Sequence, residues 1–382
     1  MLEYSILLLI RVLETRKELI MGQVFFFSYK AEENALTGLQ RLFDRSAVEG
    51  MIPGGEPVAI KLHMGELGNI RHLRPVFVRK VVDIIRGKGG KPFLFDTVAN
   101  YPGSRESKKK YLDTAARNGF VEASVNAPVV IADDGDELQT IHIKNPIDGC
   151  EMKEIKVASV LLKPPLLVVL SHVKGHELTG FGGALKNLGM GCVSTQTKRA
   201  QHRVNMPIFA EERECNGCGK CVDACPTDAI TMVNEKPKRV EAECMYCGTC
   251  FFKCPSHCWI WPPGSKEKLQ VYLGHSASAV LSGYKGKVVF VNFIQDVVPF
   301  CDCAAPSGNP VVQDVGIALS FDPVAIDKAS LDLIDKSLII PGATSAKPPD
   351  ILGKMHHTNS LVQLETAEKL GIGTMKYKLI PV

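Results

Sequence analysis

Eight cysteines carry the clearest chemistry in this sequence. Cys215-x2-Cys218-x2-Cys221-x3-Cys225-Pro226 is followed by Cys244-x2-Cys247-x2-Cys250-x3-Cys254-Pro255. The second run repeats the first position by position, each cysteine offset by 29 residues. A short apolar tail follows each run, Ala229-Ile230-Thr231-Met232 and Trp259-Ile260-Trp261, so the segment reads as an internal duplication.

The spacing has a chemical reason. Three thiolates on a tight loop grip three iron corners of one cubane, and the fourth cysteine, before proline, points to the neighbouring cluster. Two [4Fe–4S] clusters are therefore expected. Cluster one would use Cys215, Cys218, Cys221 and Cys254; cluster two would use Cys244, Cys247, Cys250 and Cys225. Pro226 and Pro255 open short helices where a backbone donor is not needed. Small residues at Gly217, Gly219, Gly248 and Thr249 let backbone N–H groups approach the sulfurs and tune the reduction potential. Structural zinc is the competing reading, but tetrahedral zinc wants four ligands and does not usually take this run. Cys258 is extra to the pattern and is expected to be a buried thiol. A disulfide scaffold is the other alternative, yet such scaffolds belong to short secreted chains, and this one has 382 residues and an odd count of 13 cysteines.

Clusters of this kind pass single electrons, so the rest of the chain must say where electrons go. Five expected strands end in polar residues of reactive types. These ends carry Lys61 with His63 and Glu66; Asp96-Thr97 with Tyr101 and Arg105; Ser171-His172-Val173-Lys174-Gly175-His176; Asn292 with, further on, Cys301-Asp302-Cys303; and Ser320-Phe321-Asp322-Pro323. In a parallel sheet those ends share one edge and line one crevice. His63, His172, His176 and Lys186 are the candidate catalytic residues. His172 and His176 lie four apart, a spacing that would share a metal on a helix, but Gly175 argues for a loop. Asp322 reads more simply as a helix N-cap. Cys301 and Cys303, with Cys192 or a histidine, would hold a further metal or act as redox thiols; the plain alternative is buried thiols. The glycine-dense run Gly180–Gly191 would cradle an anionic ligand with Lys186 as counter-charge, or would serve close packing. It lacks the ending of a P-loop and the spacing of a dinucleotide fingerprint.

The elements that must position these groups follow from periodicity. Strands are expected at 57–62, 92–95, 129–131, 166–170, 287–292 and 315–319, and helices at 75–86, 104–118, 323–336 and 361–370, with a turn at 133–136. Alternation of this kind gives an α/β fold, a mostly parallel sheet with helices on both faces, interrupted by a small α+β ferredoxin-like domain carrying the two clusters. The expected organisation is an N-terminal extension at 1–20, a first part of the α/β domain at 21–205, the two-cluster domain at 206–263, and the second part at 264–382. Ile6–Ile10 is apolar but too short to span a bilayer, and Met21 is an alternative natural start. The net charge of +4 is small and scattered, with no basic run interleaved with aromatics, so nucleic acid is not an expected partner. Free thiolates and the absence of a secretory signal point to a cytoplasmic protein.

At these motifs the chain resembles the iron–sulfur branch of an uncharacterised family, domain of unknown function 362. The resemblance rests on Lys61-Leu62-His63-Met64-Gly65-Glu66-Leu67-Gly68-Asn69, on Asp96-Thr97 with Tyr101 and Gly103-Ser104-Arg105, and on the run from Ser171 to Cys192 with Gln201-His202. It continues through the cysteine repeats to Asp302-Cys303 and Asp322-Pro323-Val324-Ala325-Ile326-Asp327, covering about Gly22 to Leu338. It departs in the first twenty residues and at Cys258. The resemblance implies cytoplasmic iron–sulfur proteins with no settled reaction. Three functions follow: an oxidoreductase whose clusters feed the crevice; an electron carrier or subunit working with a donor or acceptor protein; or a protein that handles metal or clusters through Cys192, Cys301 and Cys303.

Overall fold

A computed structural model describes residues 22–133 and 135–382. The expectations for the N-terminal extension lie outside the described residues. Eight strands form the central sheet: β1 (Gly22–Ser28), β2 (Pro57–Lys61), β3 (Lys91–Thr97), β4 (Val129–Ala132), β5 (Leu166–His172), β6 (Lys287–Ile294), β7 (Gly316–Ser320) and β8 (Tyr377–Pro381). Their order is β8-β1-β7-β6-β5-β2-β3-β4. All neighbours are parallel except β7, which is antiparallel to both β1 and β6.

Both faces of the sheet are buried, as β5 illustrates. Leu166, Val168 and Leu170 point into one core; Leu167 and Val169 point into the other. Such a strand reads as a continuous apolar run rather than an alternating one. The first core is closed by the Ala35–Arg45, Pro75–Gly87 and Lys108–Arg117 helices through Leu39, Val78, Val82 and Tyr111. The second is closed by the Ala184–Gly189, Ser265–Gly283, Pro323–Lys336 and Val362–Lys369 helices through Leu185, Val280, Ala329 and Leu364.

The expected α/β class and mostly parallel sheet are therefore present, with one reversal that matters. Because β7 runs against its neighbours, Ser320 and Asp322 lie at the opposite edge from the other four strand ends. Asp322 does what an N-cap does: its carboxylate accepts from Val324 and Ala325 N–H at 2.8 and 2.9 Å. Four strand ends, not five, share one edge of the sheet.

Between residues 206 and 263 the elements are short. Ile208–Phe209 pairs with Trp259–Ile260, and Ile230–Val233 with Lys236–Arg239, both antiparallel. Two helices of four and five residues, Lys220–Asp223 and Thr249–Lys253, follow left-handed glycines at Gly219 and Gly248.

Candidate functional site

Two sets of groups stand out, one in the cysteine segment and one at the carboxyl edge of the sheet. In the segment every cysteine is a free thiol. Cys215, Cys218, Cys221 and Cys254 line one concavity of about 310 Å³, beneath Phe209 and Trp259. Cys225, Cys244, Cys247 and Cys250 line a second of the same size, beside Arg239. Each concavity thus draws three thiols from one run and one from the other. Cys258, 1% exposed, borders the first, and its N–H donates to Cys254 Sγ at 3.3 Å. Arg239 ties the two halves together: its guanidinium lies over the Trp259 ring and donates to the Pro207 carbonyl.

The segment meets the sheet domain through Trp261. Its ring lies 4.4 Å, centroid to centroid, from Phe251 in the second cysteine run. It also packs on the Leu178, Leu269 and Leu273 cluster of the sheet domain. Leu178 is two residues beyond His176.

At the sheet edge, a turn after β6 carries Cys301-Asp302-Cys303. Asp302 is fully buried and anchors that turn: His172 Nδ1 lies 2.8 Å and Lys174 Nζ 3.0 Å from its two carboxylate oxygens. Burial raises the carboxyl pKa, but His172 and Lys174 outweigh burial and hold it well below the usual range. The other His172 nitrogen faces the Gln295 carbonyl at 2.9 Å. His172 is therefore a strut for Asp302, with no nitrogen left for a ligand.

His176 sits in a short hairpin in which Lys174–His176 pairs with Gly180–Gly182. Its ligand-capable ring atom and the sulfurs of Cys301 and Cys303 lie within 4.8 Å of one another. Lys186 Nζ lies 3.6 Å from Cys301 Sγ. Contact with Cys303, then Lys186 and His176, holds the Cys301 thiol well below its ordinary pKa despite burial. The Cys303 thiol is pushed well above its ordinary value by Cys301 and by burial. Burial opposes the charge of Lys186, yet Cys301, Cys303 and Glu177 keep its pKa above the usual lysine value. His202 borders the group; burial, then His176 and Lys186, lowers its pKa to about 3.

His63 faces the same edge. Gly65 N–H donates to its Nδ1 at 3.0 Å, and its Nε2 is buried without a partner. Burial, then Arg105, lowers its pKa to about 3, so the ring is neutral and presents an unmet N–H. Arg105 donates to Glu66 at 3.0 Å and to Tyr101, whose hydroxyl reaches the Cys303 carbonyl at 3.4 Å.

Cys192 does not join the other thiols. Its neighbours are the buried Lys61–Asp96 ion pair, at 3.0 Å, and Lys198, and burial pushes its thiol up to about 12. Lys198 carried no signal in the sequence, because its helix, Thr195–His202, is polar along its length. In the structure it is buried, donates to Thr97 and Val98, and burial lowers its pKa to about 8.

The glycine-dense run does not leave a helix N-terminus open to an anion. Asp327 already accepts from Ala184 and Leu185 N–H at 2.7 and 2.9 Å. A Cβ at Gly183 would stand 2.3 Å from that carboxylate, one at Gly189 2.4 Å from the Leu273 carbonyl, and one at Gly175 2.3 Å from the Pro299 carbonyl. The glycines serve close packing, and burial raises the Asp327 carboxyl to about 6.

A protein-family profile described as "Domain of unknown function (DUF362)" matches residues 58–332. No curated protein matches the chain. Among solved structures, a crystal structure of a protein from Thermotoga maritima is 10% identical over 80% of this chain and 57% of its own, with a TM-score of 0.42. The lactate racemase apoprotein from Thermoanaerobacterium thermosaccharolyticum is 15% identical over 72% of this chain and 51% of its own, with a TM-score of 0.34. The chain thus spans little more than half the length of these two structures. No helix among the described residues is long and apolar enough to cross a membrane.

Proposed function

Starting from a chain that belongs to the DUF362 family, whose domain has no assigned function, we propose that it is an iron–sulfur redox protein. In this reading residues 206–263 are a ferredoxin-type insertion holding two [4Fe–4S] clusters, which pass electrons singly to the crevice at the carboxyl edge of the sheet. One observation carries the reading: the eight thiols fall around two concavities in crossed sets of three plus one. A two-cluster ferredoxin run needs that crossing, whereas two independent zinc sites would each use their own run. The donors also fit chemically. They are soft sulfurs, unpaired with one another, in half-buried loops.

Trp261 gives the transfer a direction, since it touches the second cysteine run on one side and the Leu178 cluster beside the crevice on the other. At the crevice, the neutral His63 offers an N–H to an acceptor atom of a substrate, while Arg105 and Lys186 favour negative charge. A redox enzyme acting on a small molecule is the function that these groups support best.

The crossed ligation supplies the test. Cys254→Ser should perturb the cluster held by Cys215, Cys218 and Cys221, and Cys225→Ser the cluster held by Cys244, Cys247 and Cys250. Anaerobic electron paramagnetic resonance on the two variants reads this directly, as loss or conversion of one of two signals, a different one in each. Two variants that each empty their own run would overturn the assignment.

A further inference from the structure

We propose that Cys301 and Cys303 are a thiol–disulfide couple, the two-electron centre at which the crevice does its chemistry. The inference rests on the reading above for its source of electrons, and on the geometry of the turn for everything else.

A pair of thiols two residues apart in an extended strand has Cα atoms about 6.6 Å apart, near the upper limit for a disulfide. Here the chain is curled instead: Ala304 N–H donates to the Cys301 carbonyl at 2.9 Å, closing a turn over the pair. Cys303 N–H points at Cys301 Sγ from 3.4 Å. Asp302, between them, is clamped on the far side by His172 and Lys174, so the two sulfurs are held together on the crevice side. Both sulfurs belong to one tight group with His176.

A metal ion is the rival occupant of a His/Cys/Cys group, and two observations count against it. A metal-ligating histidine almost always donates its second ring N–H to an acceptor. His176 does the opposite, because its Nδ1 accepts from Leu178 N–H at 3.1 Å. With Nδ1 accepting, Nε2 is the nitrogen left to donate, and a thiolate is the acceptor it suits. The Lys186 ammonium, 3.6 Å from Cys301 Sγ, also stands close to where a cation would sit. Two N–H donors converging on one sulfur are the surroundings of a thiolate.

The chemistry balances within the chain and its electron supply. Reduction takes the Cys301–Cys303 disulfide, two electrons delivered one at a time through the clusters and one proton, and gives the Cys301 thiolate and the Cys303 thiol. Oxidation uses a small disulfide as the electron acceptor. The Cys301 thiolate attacks one substrate sulfur; the substrate S–S bond breaks and the first thiolate leaves, taking up the proton of Cys303. The Cys303 thiolate so formed then attacks Cys301 Sγ, releasing the second thiolate and restoring the internal disulfide. Lys186 is a positioning residue, holding the Cys301 charge.

The test is a redox titration of the whole protein in glutathione buffers, under anaerobic conditions. Alkylation and mass spectrometry of the peptide carrying both residues provide the readout. The expected result is that Cys301 and Cys303 become protected together, with a single midpoint and the loss of two hydrogens from the peptide. In Cys303→Ser the internal pair cannot form, and Cys301 instead stays alkylatable or takes up one glutathione. Lys186→Met should slow disulfide formation near neutral pH by about tenfold, and Lys186→Arg should restore it, because only the thiolate fraction attacks. Both thiols remaining alkylatable at every ratio would overturn the proposal, and so would an ion beyond the cluster iron that shields them. This titration needs no clusters, so it stands or falls separately from the iron–sulfur reading. A second measurement joins the two: after one-electron reduction of the clusters, the two thiols should appear as the clusters reoxidise. Reduced clusters beside a persistent disulfide would contradict the coupling.

Discussion

The cysteine segment and the sheet edge hold their reactive groups by different means. Between Met206 and Pro263 the strands are two to four residues long and the helices four or five. Its apolar core is Ile230 and Trp259 with Cys221 and Cys250, and half of that list is thiol. On the proposed iron–sulfur reading, a unit this small, with so little apolar area to bury, takes its order from the clusters. At the sheet edge the reverse holds. Cys301 and Cys303 ride on a turn pinned by buried ion pairs, backed by an eight-stranded sheet with a core on each face. In that reading the clusters organise one region, whereas in the other the fold organises the reactive groups.

Removing what binds the thiols should give the largest effect. Chelation, or Cys221→Ser with Cys250→Ser, should abolish amide-exchange protection at Ile230–Val233 and Trp259–Ile260 while β5 and β6 stay protected. Loss of protection in both regions together would break the contrast. Next comes Asp302→Asn, which leaves Lys174 buried with its charge uncompensated and should cost about 3–5 kcal/mol in denaturant unfolding of the sheet domain. A smaller effect is expected at Asp327. Its folded-state carboxyl titrates at about 6 against an ordinary 3.8, so the native state binds the proton more tightly than the unfolded chain. That contribution is full below about pH 4 and is lost as pH rises to about 6. Asp327→Asn should remove this slope and, with one backbone donor left unmet, cost about 1–3 kcal/mol. The smallest effect belongs to Trp261→Phe, under about 1.5 kcal/mol and with iron content unchanged; Trp261→Ala should slow electron transfer to the crevice at equal cluster occupancy.

The two regions also differ in what the sequence makes legible. Cysteine spacing is local, so the two runs are readable from one line of text, and the thiols line two concavities in the expected crossed sets; the β2, β3, β5 and β6 strands, apolar on both faces, are readable too. The reversed direction of β7 is not readable, because an antiparallel central strand buried on both faces has the same apolar run as a parallel one. The 19-residue Ser265–Gly283 helix escaped for a related reason. It is buried on most of its circumference and built from small residues such as Gly274, Ser276 and Ala277, so it shows no stripe. Gly274 lets it approach Thr366, and Leu273 packs its carbonyl on Gly189. At the site, His176 and Lys186 could be singled out by type. Their meeting with Cys301, over 100 residues away, and the withdrawal of His172 onto Asp302, depend on long-range packing.

The most direct test of the account is iron and acid-labile sulfide analysis of the anaerobically purified chain. The account predicts about eight of each per chain, bound by the two cysteine runs. Stoichiometric zinc in place of iron, or iron-free protein with disulfides among those eight cysteines, would contradict it.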